Sequence, residues 1–300
     1  MAQLVYDKNG RLLFTQEMKK EYTILFPTML PVHFGLMARI LETEGFHVEM
    51  LTTNHRGIVD EGLKYVHNDT CYPALLVIGQ LIDAVKSGKY DIHKVALLIT
   101  QTGGGCRASN YIHLLRKALV KAGLEFIPVI SVNLSGLEPN PGFKLGLGTL
   151  RKAVFAMMYG DLIVQTSNQV RPYEVTKGQT DRTIEQVEDH LLAEMSRGKG
   201  LSFKSMVEHF DHIVSVFKAI PVAGEPKVRV GVVGEIYIKY SPLGNNNLEQ
   251  FLLDEGAEPV VPGLTDFIIF KIYNREVDVN IYGGKWVKKK ACQVLKGYVE

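Results

Sequence analysis

From Glu21 to Asn133, short runs of β-branched and aromatic residues alternate with longer stretches whose apolar positions recur every three or four residues. Alternation of this kind predicts parallel strands with helices packed over them. The strands are read at YTILFP (22–27), HVEMLT (47–52), VALLIT (95–100) and FIPVISV (126–132). Between them, Pro31 to Glu44 reads as a helix opened by a proline, which needs no amide partner in a first turn, and closed near Gly45. Pro73 to Ser87 reads as a second helix, and Leu114 to Ala122, closed by Gly123, as a third.

From about Lys144 to Ile220 the period becomes helical throughout, at Val154 to Tyr173, Thr183 to Met195 and Ser205 to Ala219. The breaker-rich stretch IPVAGEPK then precedes VRVGVVGEI (228–236), GNNNLEQFLLDEGA (244–257) and EPVVPG (258–263), a strand, a helix and a strand, and a helical tail runs from Asp266 to Glu300. The fold expected is α/β: two Rossmann- or flavodoxin-like parallel-sheet domains joined by a helical connector. The divisions are an N-terminal extension (1–20), a first α/β domain (21–140), the connector (141–222) and a partial second α/β domain with its tail (223–300). The second domain reads as truncated, because two parallel strands do not make a sheet that helices can cover on both faces. Its remainder is expected from a longer polypeptide or from a partner.

With 34 basic against 32 acidic residues the net charge is +2, and the one like-charge run is Lys288 to Lys290, so nothing calls for nucleic acid or an anionic membrane as partner. No apolar stretch approaches the roughly 20 residues that span a bilayer, and no signal-peptide core opens the chain, so a cytoplasmic protein is expected. The three cysteines, Cys71, Cys106 and Cys292, are too few for a disulfide framework, and their odd number argues for reduced thiols. Each is then a small hydrophobe, a nucleophile or a metal ligand.

Ligands of an open α/β sheet gather at the carboxyl ends of its strands, and QTGGGCRASNY follows VALLIT there. Gly103, Gly104 and Gly105 allow a tight turn and a close approach to a ligand, and amides at a following helix start favour Cys106 as the thiolate that ligates metal or attacks an electrophile. The same segment also fits an ordinary strand-to-helix turn. As a phosphate-cradling loop it lacks the Gly-Lys-Ser/Thr ending. Cys71, in YVHNDTCYPALL, also sits on a polar turn before a helix opened by Pro73. Two cysteines 35 positions apart, with no Cys-x-x-Cys pair, suit a cluster better than a zinc knuckle.

Cys292 reads as a packing residue, and His67 and His113 as hydrogen-bonded structural residues. A transferase using Cys106 would have to draw on His113, seven positions along, as its base. His209 and His212 stand three apart with no third ligand evident in the sequence. Asn245 to Asn247 suit the cap of a helix from Leu248, or an amide surface facing a ligand.

The segments YVHNDTCYPALLVIGQ, KSGKYDIHKVALLITQTGGGCRASNYIHLLRKAL, PVISVNLSG, GEIYIKYSPLGNNNLEQFL and VVPGLTDF resemble the 2-hydroxyacyl-CoA dehydratase D-component superfamily, and especially the C-terminal region of the acyl-CoA dehydratase activase-related proteins. The resemblance covers most of residues 22–274. It implies two α/β domains about a helical connector, and an oxygen-sensitive 4Fe-4S or double-cubane cluster held by three cysteines. Cys71 and Cys106 match two of them. The third lies in relatives beyond the point matching residue 300, so this chain departs from the pattern and is expected to hold a cluster weakly or not at all.

Gly103, Gly104 and Gly105 are then the backbone that approaches the cluster, and Arg107 and Asn110, on the helix after Cys106, either tune it or hold an anion, or serve as capping and solvated surface residues. The implied partners are an ATP-dependent activator that delivers one low-potential electron, an acyl-CoA substrate that loses water by a ketyl-radical route, and further subunits of a homo- or hetero-oligomer. The alternatives are a double-cubane reductase component and a non-catalytic assembly module without a complete cluster site.

Overall fold

A computed structural model describes residues 2–101, 106–132, 138, 140–283, 290 and 293. In chain order the elements are β1 (Val5–Tyr6), β2 (Leu12–Leu13), α1 (Gln16–Glu21), β3 (Thr23–Pro27), α2 (Pro31–Thr43), β4 (His47–Leu51), α3 (Arg56–Tyr65), α4 (Tyr72–Lys86), β5 (Val95–Thr100), α5 (Tyr111–Lys121) and β6 (Val129–Val132). They continue with α6 (Leu147–Val170), α7 (Gln179–Ser196), α8 (Phe203–Lys218), β7 (Arg229–Gly231), α9 (Ile236–Tyr240), α10 (Pro242–Asn245), α11 (Leu248–Asp254), β8 (Glu258–Val260) and α12 (Leu264–Tyr282). The class is α/β, with one four-stranded parallel sheet and one small two-stranded parallel sheet.

The chain forms two compact units, residues 1–153 with 234–255 and residues 154–233 with 256–300. The expected range 223–300 is therefore divided between them. The reason is chemical: Tyr237 and Leu243 bury their side chains in the core of the first unit, and the Ser241 hydroxyl donates to Thr28 O at 3.3 Å.

In the first unit the strands run in the order β4-β3-β5-β6, all parallel, with Thr23 opposite Val95 and Leu97 opposite Val129. Side chains alternate across the pleat. Val95, Leu97 and Ile99 therefore join Ile58 of α3, Leu76 of α4 and Leu115 of α5 in one core. Ala96 and Leu98 point the other way and join Met18 of α1 and Ala38 of α2. Helix α4 is apolar around most of its circumference, with eleven of its 15 residues buried, as a helix sunk between a sheet and other helices must be.

Helix α3 reaches α4 through two glycines. A Cβ built on Gly79 would stand 2.2 Å from Ile58 O, and one on Gly62 would stand 2.5 Å from Leu75 O. No side chain fits at either place, so the two backbones are in direct contact.

In the second unit α7 and α8 contact each other, and Tyr159, Ile163, Val187, Leu191, Ile213 and Phe217 from α6, α7 and α8 are buried. β7 pairs with β8 in parallel, Val230 opposite Pro259. The strand expected over 228–236 is confined to Arg229–Gly231, because the chain turns into α9 at Ile236. The Asp161 carboxylate accepts the amides of Leu264 at 2.6 Å and Thr265 at 2.8 Å, which anchors the start of α12. No helix among the described residues is long and apolar enough to cross a membrane.

Replacing Gly79 with Ala should lower the unfolding free energy by about 1–3 kcal/mol or more, since backbone on both sides has nowhere to move. Gly148 of α6 faces open space, and Gly148→Ala should change stability by less than about 1 kcal/mol, in the stabilising direction. Urea denaturation of the two variants checks both signs.

Candidate functional site

The order β4-β3-β5-β6 reverses direction between β3 and β5, and the crevice outside the carboxyl ends of those two strands is where such sheets bind ligands. Gln80, midway along α4, donates to Leu51 O at 3.2 Å and Thr53 O at 2.8 Å just past the end of β4. The first turns of α4 therefore project beyond the carboxyl edge of the sheet, and so does the start of α5, which follows β5.

Cys71 is the residue before α4, on a turn closed by Thr70 N donating to His67 O at 3.0 Å. Its carbonyl accepts the amides of Ala74 and Leu75 at 3.0 and 3.4 Å, so the helix holds the backbone in place. Its sulfur lies 2.9 Å from the Tyr111 hydroxyl, the first residue of α5. The thiol is partly buried and not enclosed.

Cys106 is exposed and precedes a 3-10 turn, Arg107–Asn110, which leads directly into α5. Its sulfur accepts from Ala108 N at 3.5 Å, and its carbonyl accepts from the Ser109 hydroxyl at 2.6 Å. Gln101 braces this turn against the sheet: its Nε2 donates to Ser109 O at 3.0 Å while its Oε1 accepts from Ser131 of β6 at 2.9 Å. Arg107 and Asn110 are exposed, and Asn110 makes no side-chain capping bond. Gly103, Gly104 and Gly105, and Cys292, lie outside the described residues.

Burial raises Tyr111 far above the ordinary phenol range, and its bond to Cys71, the charge of Cys71, the charge of Cys106 and that of Glu235 act in the same direction. Cys71 touches this hydroxyl directly, and Cys106 stands one 3-10 turn before the same residue. Glu235 caps α9, accepting Ile238 N at 3.0 Å, and belongs to the segment that Ser241 ties to Thr28. Tyr111 and Glu235 were not singled out in the sequence, although Tyr111 closes the motif QTGGGCRASNY.

Asn245 does cap the helix after it, its Oδ1 accepting Leu248 N at 3.0 Å, while Asn246 and Asn247 take left-handed backbone angles of +57° and +56°. Tyrosine phenols, amides and one carboxylate are weak or hard donors; the two thiols are the soft ligands here, and they suit iron. They supply two positions and no more. Among the described residues no group of three or more His, Cys, Asp or Glu side chains is arranged to hold a metal ion.

His67 is exposed and its Nδ1 accepts Asp69 N at 3.2 Å; His113 is exposed on α5. A groove of about 470 Å³ beside the Cys71 turn is lined by Leu63, Lys64, His67, Leu114, Lys117 and Lys121. In the second unit the pair His209 and His212 does have a histidine neighbour: His190 of α7, with ring centroids 6.0 and 4.5 Å away. Burial and then His212 push His190 below the ordinary imidazole range. Comparison with models of protein families, with curated proteins and with solved structures found no match to this chain.

Glu138 is tied to the helix that carries Tyr111. Glu138 accepts two bonds from Arg116 of α5, at 3.0 and 2.6 Å, and one from Arg11 at 2.9 Å. Burial alone would raise the Glu138 carboxyl, but the bond and charge of Arg116 and those of Arg11 outweigh it and hold the group below its ordinary value. A depressed folded value makes its contribution complete above the unfolded value and lost as pH falls through the folded one. Stability should therefore decline below about pH 4.5. Glu138→Gln should flatten that acid limb and cost about 1–3 kcal/mol at pH 7, as read by denaturation across a pH series.

Proposed function

We propose that this chain is an iron-sulfur component of the 2-hydroxyacyl-CoA dehydratase and activase-related kind, with Cys71 and Cys106 as thiolate ligands of a 4Fe-4S or double-cubane cluster. The observation that carries the reading is that two cysteines from separate stretches of chain stand at neighbouring helix starts past one parallel sheet: the Cys71 sulfur meets the Tyr111 hydroxyl at 2.9 Å, and Cys106 precedes the 3-10 turn that runs directly into Tyr111. Neither thiol is sealed in apolar core. When bound, such a cluster supplies one-electron transfer at low potential and an open iron position for a substrate oxygen.

The residues of the chain have separate tasks in this reading. Cys71 and Cys106 bind iron, and Gln101 and Ser131 hold the Cys106 turn against the sheet. Arg107 and Asn110, both exposed beside Cys106, hold an anionic group of substrate or partner. The groove with Lys64, Lys117 and Lys121 offers positive charge for the phosphates of a CoA thioester, and among the described residues Lys117 and Lys121 have no acidic partner. An ATP-dependent activator delivers the electron, and the remaining ligand comes from outside the pair of cysteines, from more of this polypeptide or from another subunit of an oligomer.

Anaerobic reconstitution with iron and sulfide, followed by metal counting and low-temperature spin resonance of the reduced protein, tests the proposal. Uptake by the unaltered chain should be weak, and should rise when a longer polypeptide or a partner subunit supplies the remaining ligand. In that completed form Cys71→Ser and Cys106→Ser should each lose most of the iron, and Cys292→Ser should keep it. A completed form that takes up no iron, or a Cys71→Ser/Cys106→Ser double variant that retains it, would sink the assignment.

A further inference from the structure

Tyr111 is held at both ends. Its ring packs against the core shared by α3, α4 and α5, and its backbone follows directly from the 3-10 turn that Gln101 braces. That leaves its hydroxyl one place to go, 2.9 Å from the sulfur of Cys71. In the free thiol either atom can be the donor. A thiolate has no proton to give, so once Cys71 is ionised or bound to metal the tyrosine O–H is the sole possible donor of this bond.

The geometry points to Tyr111 as a positioning residue for Cys71: it donates a hydrogen bond to the ligand sulfur, fixes the sulfur's direction, and raises the reduction potential of the centre that sulfur holds. The effect on potential rests on the iron-sulfur reading above; the hydrogen bond itself does not. Donors aimed at ligand sulfurs withdraw electron density from the iron-thiolate bond and favour the reduced state. Among the described residues the one hydrogen bond of the Tyr111 hydroxyl is the one to Cys71. No ring of His113 competes, since that side chain is exposed.

Tyr111→Phe removes the hydroxyl and keeps the ring, so the core packing of α5 is preserved. Two measurements on the full chain separate the possibilities. In the metal-free, reduced protein, at a pH where both thiols are ionised, iodoacetamide labelling resolved by mass spectrometry should be about threefold faster or more at Cys71 in the variant and unchanged at Cys106. In the reconstituted protein, the midpoint potential should fall while iron content stays the same. Equal Cys71 rates in both proteins overturn the hydrogen bond. A faster Cys71 with an unmoved potential overturns the tuning role. If no iron is taken up even when a longer polypeptide or a partner subunit supplies the remaining ligand, the cluster reading fails, and the labelling rates alone decide the role of Tyr111.

Discussion

Burial of α4 on nearly every side is the constraint on which the rest of the first unit depends. Burying side chains such as Leu76, Ile78, Leu81 and Ile82 contributes about 1.5–3 kcal/mol each, and this is available only if the sheet, α3, α5 and the segment carrying Tyr237 and Leu243 all close around the helix. Close packing of α3 requires Gly62 and Gly79. Closure from above requires the chain to return at Ile236 after leaving for the second unit. Once these are met, α4 has one height relative to the sheet, fixed by Gln80 on the end of β4, and Cys71 is held past the sheet edge.

The site is built where dry core gives way to water, and that boundary sorts its groups. Tyr111 has its ring in the core and its hydroxyl at the edge; Cys71 is half covered; Cys106 is exposed. A buried polar group without a partner is costly, which explains why the tyrosine and the partly buried thiol meet, and why the exposed thiol is held only by a long contact with Ala108 N. Rigidity comes from neighbours with no chemistry of their own. Gln101 with Ser131 fixes one turn, and Glu138 with Arg116 fixes the helix that follows it.

Much of this was legible in the sequence because the four strands are short β-branched runs and α2, α4 and α5 have clear punctuation. Helix α3 was not, for a reason visible at Gly62: the position that should mark its apolar face carries no side chain, since the face meets backbone. α9 was not read either: the strand expected over 228–236 ran up to its first residue, IYIKY alternates as a strand does, and Tyr237 and Tyr240 are nonetheless buried from a helix. The two cysteine turns could be found from local motifs. The bond that brings the Cys71 turn to Tyr111 could not, because it joins residues 40 positions apart.

The environment of Cys71 also bears on the choice between ligation and nucleophilic catalysis. A cysteine nucleophile works with a base that takes its proton, usually an imidazole in contact. Here no hydrogen bond joins His113 to either thiol among the described residues, and the group that does touch Cys71 is a phenol whose proton is held more tightly than usual by burial and by neighbouring negative charge. Such a group gives a hydrogen bond to sulfur and does not receive the sulfur's proton. It stabilises an anion that stays in place, which is the condition of a metal-bound thiolate, and it slows the attack of an anion that must leave its position to react. The arrangement therefore favours a sulfur that holds something over a sulfur that attacks something.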